Sequence, residues 1–191
     1  MSTPSPLRTF PPVEQGNVLP FETEAAAVDF VVERLRPFCA SIKREPEFPN
    51  GLRPDLGIRL AALPDIPLAI EVKCFTAGQI KPLPDAIAQA SCYAELTGYA
   101  AFIAPLSGRS LTRFQWNCSS IGSALLVAGQ FNVGGLYFAN DKVVAGGLML
   151  SGVQVAFFSY TEHGDPHTRL HEEAAHLLKA KHRSGSAAWR A

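Results

Sequence analysis

Pro67 to Phe75, the stretch PLAIEVKCF, is a short run rich in aliphatic residues, bounded by Pro67 and by Thr76-Ala77-Gly78. Its length and branching predict a buried β-strand. Strand side chains alternate between two faces, so Glu71 and Lys73 share one face and Val72 points to the other. Asp55 to Leu60 predicts a second strand, joined to the first by a turn over Leu63 to Pro67 centred near Pro64. That hairpin sets Asp55 opposite Lys73 and diagonal to Glu71, whereas a slip of one residue would turn Asp55 to the other side.

Helical spacing surrounds this hairpin. Val28, Val31, Val32 and Leu35 predict a helix from Phe21 to Pro37, where proline ends it. Glu24 lies one turn before Val28, in line with the apolar stripe and also in the first turn, where an anion suits the helix dipole. A second helix is predicted from Leu83 to Leu96, stopped at Gly98, with Leu83, Ile87, Ala90 and Ala94 as its apolar stripe. Gln89, Tyr93 and Leu96 follow one another on a neighbouring face of that helix. Tyr99 to Ala104 then predicts a strand ended by Pro105.

From Leu106 onward the pattern is less regular. Ile121 to Gly135 is apolar and glycine-rich, and Leu136 to Tyr160 alternates as a β-meander with turns at Asn140-Asp141 and Ser151-Gly152. Val143 to Tyr160 is nearly long enough to cross a bilayer, but its paired glycines, Ser151, Gln154 and lack of basic flanks point away from a membrane segment. Asp165 to Lys181 predicts a terminal helix with Asp165 as cap and Pro166 in its first turn. Residues 1–20, rich in proline with serine and glycine, predict a flexible or surface-hugging arm. The expected organisation is an arm over 1–20, a core over 21–105, and a β-rich extension with a terminal helix over 106–191, packed on the same domain.

Two carboxylates and an ammonium at the edge of a hydrophobic core are costly without a compensating partner. A hard divalent cation such as Mg2+ is one partner, since it takes one or two carboxylates together with waters and substrate phosphate. The simpler alternative is an ordinary Glu/Lys pair on an exposed strand.

The order of a helix with Glu24, strands carrying Pro54-Asp55 and Glu71-Val72-Lys73, a following helix and a further strand resembles the PD-(D/E)XK nuclease superfamily. Within it, Gln89-Ala90-Ser91-Cys92-Tyr93 is similar to the QxxxY element of RecB-like members. The resemblance spans Phe21 to Pro105, less than half of the chain. It implies an α/β, restriction-endonuclease-like core, with a central mixed β-sheet flanked by helices. It also implies ligation of Mg2+ or Mn2+ by Asp55, Glu71 and the Val72 carbonyl, with Glu24 as a helical ligand directly or through water. Lys73 takes the place of the catalytic lysine, and Gln89 and Tyr93 shape the site or touch DNA. The expected activity is hydrolysis of DNA phosphodiester bonds by metal-activated water. The alternative is a catalytically idle nuclease-fold module that binds DNA or a protein partner.

Composition narrows the picture further. With 191 residues and 47% hydrophobic content, the chain can bury one sizeable core. Its zero net charge counts against a protein that coats DNA electrostatically, though Arg34, Arg36, Lys43, Arg44, Arg53 and Arg59 cluster near the candidate site in sequence. Cys39, Cys74, Cys92 and Cys118 are scattered without a CxxC pair, which argues against zinc or an iron-sulfur cluster and fits free thiols in a reducing cytoplasm. His171 and His176 are five apart, one too many for HExxH, so the histidines are expected at the surface. There is no Walker lysine motif and no GxSxG elbow. The part beyond Leu106 is a candidate surface for a homodimer or protein partner.

Overall fold

The computed structural model describes residues 21–48, 51–73, 82–97, 101–107, 124, 126–139 and 144–181. One eight-stranded sheet runs through them, with its strands in sequence order. The strands are β1 Cys39–Arg44, β2 Leu56–Leu60, β3 Leu63–Val72, β4 Ala101–Ser107, β5 Val133–Phe138, β6 Val144–Leu150, β7 Val153–Tyr160 and β8 Pro166–Leu170. β4 is parallel to both of its neighbours and every other pair is antiparallel, so β4 joins two antiparallel segments, β1–β3 and β5–β8. The class is mixed α/β.

Among the described residues the sheet is accompanied by the α-helices α1 Glu24–Leu35, α2 Pro82–Thr97 and α3 Glu172–Lys181, with further helical residues at 126–128. Thr23 caps α1 by accepting the Ala26 N–H at 3.1 Å on its hydroxyl. Ala27, Val31, Val32 and Leu35 form the buried stripe of α1, and Pro37 falls in a 3-10 turn, Arg36–Phe38, that leads into β1. Before β1, Phe38 packs on Phe158 and Tyr160 of β7 with ring centroids 5.1 and 5.4 Å apart. The sheet therefore curls until the approach to β1 meets β7, as twisted sheets do.

Several elements fall elsewhere than the sequence pattern predicts. The β2–β3 turn is at Ala61-Ala62, not over Leu63 to Pro67, because both prolines are taken into β3. The ladder shifts between Arg59 and Leu60, and Arg59 donates its guanidinium to the Pro64 carbonyl at 3.0 Å, which accommodates residues that lack a ladder N–H. Leu56 pairs with Ile70, so continuing the register sets Asp55 beside Glu71 instead of Lys73. The displacement is two residues, so the face is preserved. β4 runs through Pro105 to Ser107, with a register shift between Ile103 and Leu106.

The stretch from Asp165 is not one helix. A hairpin closes where Thr161 donates its N–H to the Asp165 carbonyl at 2.9 Å, and Pro166 opens edge strand β8 opposite Tyr160. Edge placement leaves the missing proline N–H without cost, and α3 begins only at Glu172. Within the meander, Ser151 and Gly152 have φ 51° and 72° and form the tight β6–β7 turn. Asn140-Asp141, Gly98, Tyr99, residues 1–20, Cys74 and Cys118 lie outside the described residues. No helix among the described residues is long and apolar enough to cross a membrane.

Candidate functional site

β3 ends at the place where charge enters the core. Glu71 is 2% exposed and is the one charged side chain buried among the described residues. Alternation along β3 puts Lys73 on the same side, and Lys73 Nζ lies 2.7 Å from Glu71 Oε1. Lys73 is also 3.7 Å from Glu24 Oε1, contributed by the first turn of α1, whose carboxylate is half exposed. Asp55, just ahead of β2, accepts the Val72 N–H on Oδ2 at 2.6 Å. The α2 crossover returns from the C-terminal end of β3 to the start of its parallel neighbour β4, which brings Tyr93 alongside Glu71. The Tyr93 hydroxyl donates to Glu71 Oε2 at 3.1 Å and approaches the Arg53 carbonyl at 3.3 Å. In open α/β sheets, the carboxyl ends of parallel strands are where ligands bind.

The structure thus brings Glu24, Asp55, Glu71, Lys73 and Tyr93 together from four chain segments. Val72 spends its backbone N–H on Asp55. Gln89 stays apart from them: it is exposed on α2, one turn from Tyr93, and makes no hydrogen bond to Asp55, Glu71 or Lys73 among the described residues. Sequence pattern did not reveal Phe48, which is 3% exposed and stacks on Tyr93 with centroids 6.1 Å apart. Its only sequence signal is an isolated aromatic between Pro46 and Pro49, shortly ahead of Pro54-Asp55.

Burial pushes the Asp55 carboxyl up to about 6, and the charges of Glu71 and Glu24 add to the rise while the Val72 N–H and Lys73 oppose it. For Lys73 burial pulls downward, but the hydrogen bond and charge of Glu71, with Glu24 and Asp55 behind it, outweigh this and raise it. Burial and the adjacent Glu71 also raise the Tyr93 phenol. Three acids face one ammonium, so the cluster carries surplus negative charge when ionised.

A divalent cation would offset that surplus. Among the described residues no three His, Cys, Asp or Glu side chains are gathered closely enough to share one ion, so three direct carboxylate ligands are not assembled. The carboxylates that could hold a cation there are Asp55 and Glu71, with water as further ligands, the kind of oxygen set that Mg2+ takes. Glu24, paired to Lys73, would act through water.

Several of the basic residues near the site in sequence are engaged locally. Arg44 pairs with Asp29, Arg53 with Glu47 at 3.2 Å, and Arg34 lies over the Phe30 ring at 5.3 Å. Cys39 is half-buried and pushed up to about 12 by burial, while Cys92 is exposed on α2. His163, His167, His171 and His176 are all exposed. No protein-family model, no curated protein and no solved structure matches this chain.

Proposed function

We propose that this protein is a Mg2+- or Mn2+-dependent deoxyribonuclease with a restriction-endonuclease-like core, hydrolysing phosphodiester bonds at the Asp55–Glu71–Lys73 cluster. The observation that carries the proposal is buried Glu71, held between Lys73 at 2.7 Å and Tyr93 at 3.1 Å beside an Asp55 that burial and like charge make hard to ionise. Such mutually perturbed groups mark sites where charge has work to do.

When bound, the cation would supply Lewis-acid polarisation of phosphate and an acidified water. Asp55, Glu71 and the Val72 carbonyl would hold it. Lys73 keeps its proton and sets a positive charge where negative charge develops on the phosphate. Tyr93 fixes the Glu71 carboxylate through its hydroxyl. The surrounding core, with Leu56, Ile70 and Val72 fully buried, keeps water from the back of the site.

The alternative, a catalytically idle module that binds DNA or a protein partner, is favoured by one feature: both Glu71 oxygens are already engaged, by Lys73 and Tyr93. Incubation of linear, nicked and branched DNA with Mn2+ separates the two. Cleavage by the wild-type chain that falls by at least about a hundredfold in Lys73→Ala and Asp55→Asn supports hydrolysis. Equal trace cleavage in all three leaves only the binding module.

A further inference from the structure

Between β1 and β2 the chain doubles back over the site. Glu45, at φ 44°, turns the chain out of β1 and donates its N–H to the Asp55 carbonyl at 2.9 Å. Phe48 donates its N–H to the Leu52 carbonyl, and Gly51 donates to the Phe48 carbonyl, each at 2.9 Å. Pro46 and Pro54 are buried. The backbone joined in this way delivers Asp55 at one end and grips Tyr93 twice. Phe48 lies against the face of the phenol at an interplanar angle of 29°, and the Arg53 carbonyl stands 3.3 Å from its hydroxyl.

A phenol has one hydrogen to give. Glu71 Oε2 is both nearer and charged, and so takes it in preference to the Arg53 carbonyl. The hydroxyl reaches Oε2 only while the Tyr93 ring keeps its tilt. In α2 the ring is attached through two rotatable bonds, and Phe48 packs against its face.

We propose that Phe48 is a positioning residue of the Asp55–Glu71 site, stacking on Tyr93 so that the phenol holds the Glu71 carboxylate in one orientation. Its consequence for chemistry rests on the cation-dependent hydrolysis proposed above; the orientation of Glu71 does not. Loss of the aromatic face lets the Tyr93 ring tilt, and Glu71 then turns toward Lys73 alone.

The test uses the full chain labelled with 13C at glutamate carboxyls, in the absence of divalent cation, with the Glu71 signal assigned through Glu71→Gln. Phe48→Leu is expected to move the Glu71 signal in the same direction as Tyr93→Phe, with no further movement in the double variant. Mg2+ affinity measured by calorimetry should fall about tenfold in each single variant, the effect of one lost hydrogen bond to a charged group. Phe158→Leu, an equally buried phenylalanine in β7, should lower the unfolding midpoint and leave the Glu71 signal in place. A Glu71 signal unmoved in Phe48→Leu overturns the proposal, whatever happens to stability. Should that variant not fold, Phe48→Met is judged by the same signal. A wild-type chain that binds no Mg2+ defeats the hydrolysis proposal, while the Glu71 signal still decides the role of Phe48.

Discussion

Two tyrosines in this molecule each donate a hydroxyl to a side-chain oxygen 3.1 Å away, and the two acceptors lie one in each antiparallel segment of the sheet. Tyr137 of β5 meets Gln154 Oε1 of β7, and the Gln154 amide nitrogen donates to the carbonyls of Leu148, at 3.1 Å, and Ala156. That group is neutral. It sits where the β6–β7 ladder shifts between Leu148 and Met149, and its polar atoms satisfy one another across the irregularity. Tyr93 of α2 meets Glu71 of β3, where Asp55, Glu71 and Glu24 face a single ammonium. The first arrangement is neutral, whereas the second carries surplus negative charge, which the proposed cation would offset.

The sharpest way to break this comparison is Gly147→Ala. A Cβ there would lie 2.4 Å from Gln154 Nε2, 2.5 Å from the Ala156 carbonyl and 2.7 Å from the Tyr137 hydroxyl. Because the Ala156 carbonyl is backbone and cannot step aside cheaply, the change should cost about 3 kcal/mol in urea unfolding, with Mg2+ affinity of the folded fraction unaltered. Tyr137→Phe should cost about 1 kcal/mol, one neutral hydrogen bond, again without effect on Mg2+. A fall in cation affinity in either variant would mean that the two segments are not independent.

A smaller effect sharpens the other half of the comparison. Burial pushes the Asp55 carboxyl from 3.8 up to about 6 in the folded chain. Between about pH 4 and pH 6 the folded chain therefore keeps a proton that the unfolded chain releases. Without divalent cation, stability should decline as pH rises through that window, and thermal unfolding of Asp55→Asn should show a flatter decline. Cation affinity should run the opposite way, rising through pH 6 as the carboxylate ionises.

Much of the site was legible because its signals are local. Period-two alternation sets Glu71 and Lys73 on one side of β3, helical spacing gives α1 and α2 within a few residues, and the Ser151-Gly152 turn falls where Gly152 takes up positive φ at no steric cost. The Asp55 register was misjudged by two residues because Pro64 and Pro67 look like turn residues, yet an irregular ladder absorbs both. Face survived that error because an even shift conserves it. β1 and β8 carry polar sequences whose strand state comes from pairing at the sheet edges, and β8 opens with a proline that resembles a helix start. Phe48 escaped detection because stacking across forty-five residues of chain leaves no periodic trace.

Calorimetric titration of Mn2+ into the wild-type chain at pH 7.5, repeated on Asp55→Asn and Glu71→Gln, bears most directly on the claim that these two acids form a cation site. The account predicts one saturable site in the wild type, weakened at least about tenfold in each variant. No saturable binding, or equal binding by all three proteins, would contradict it.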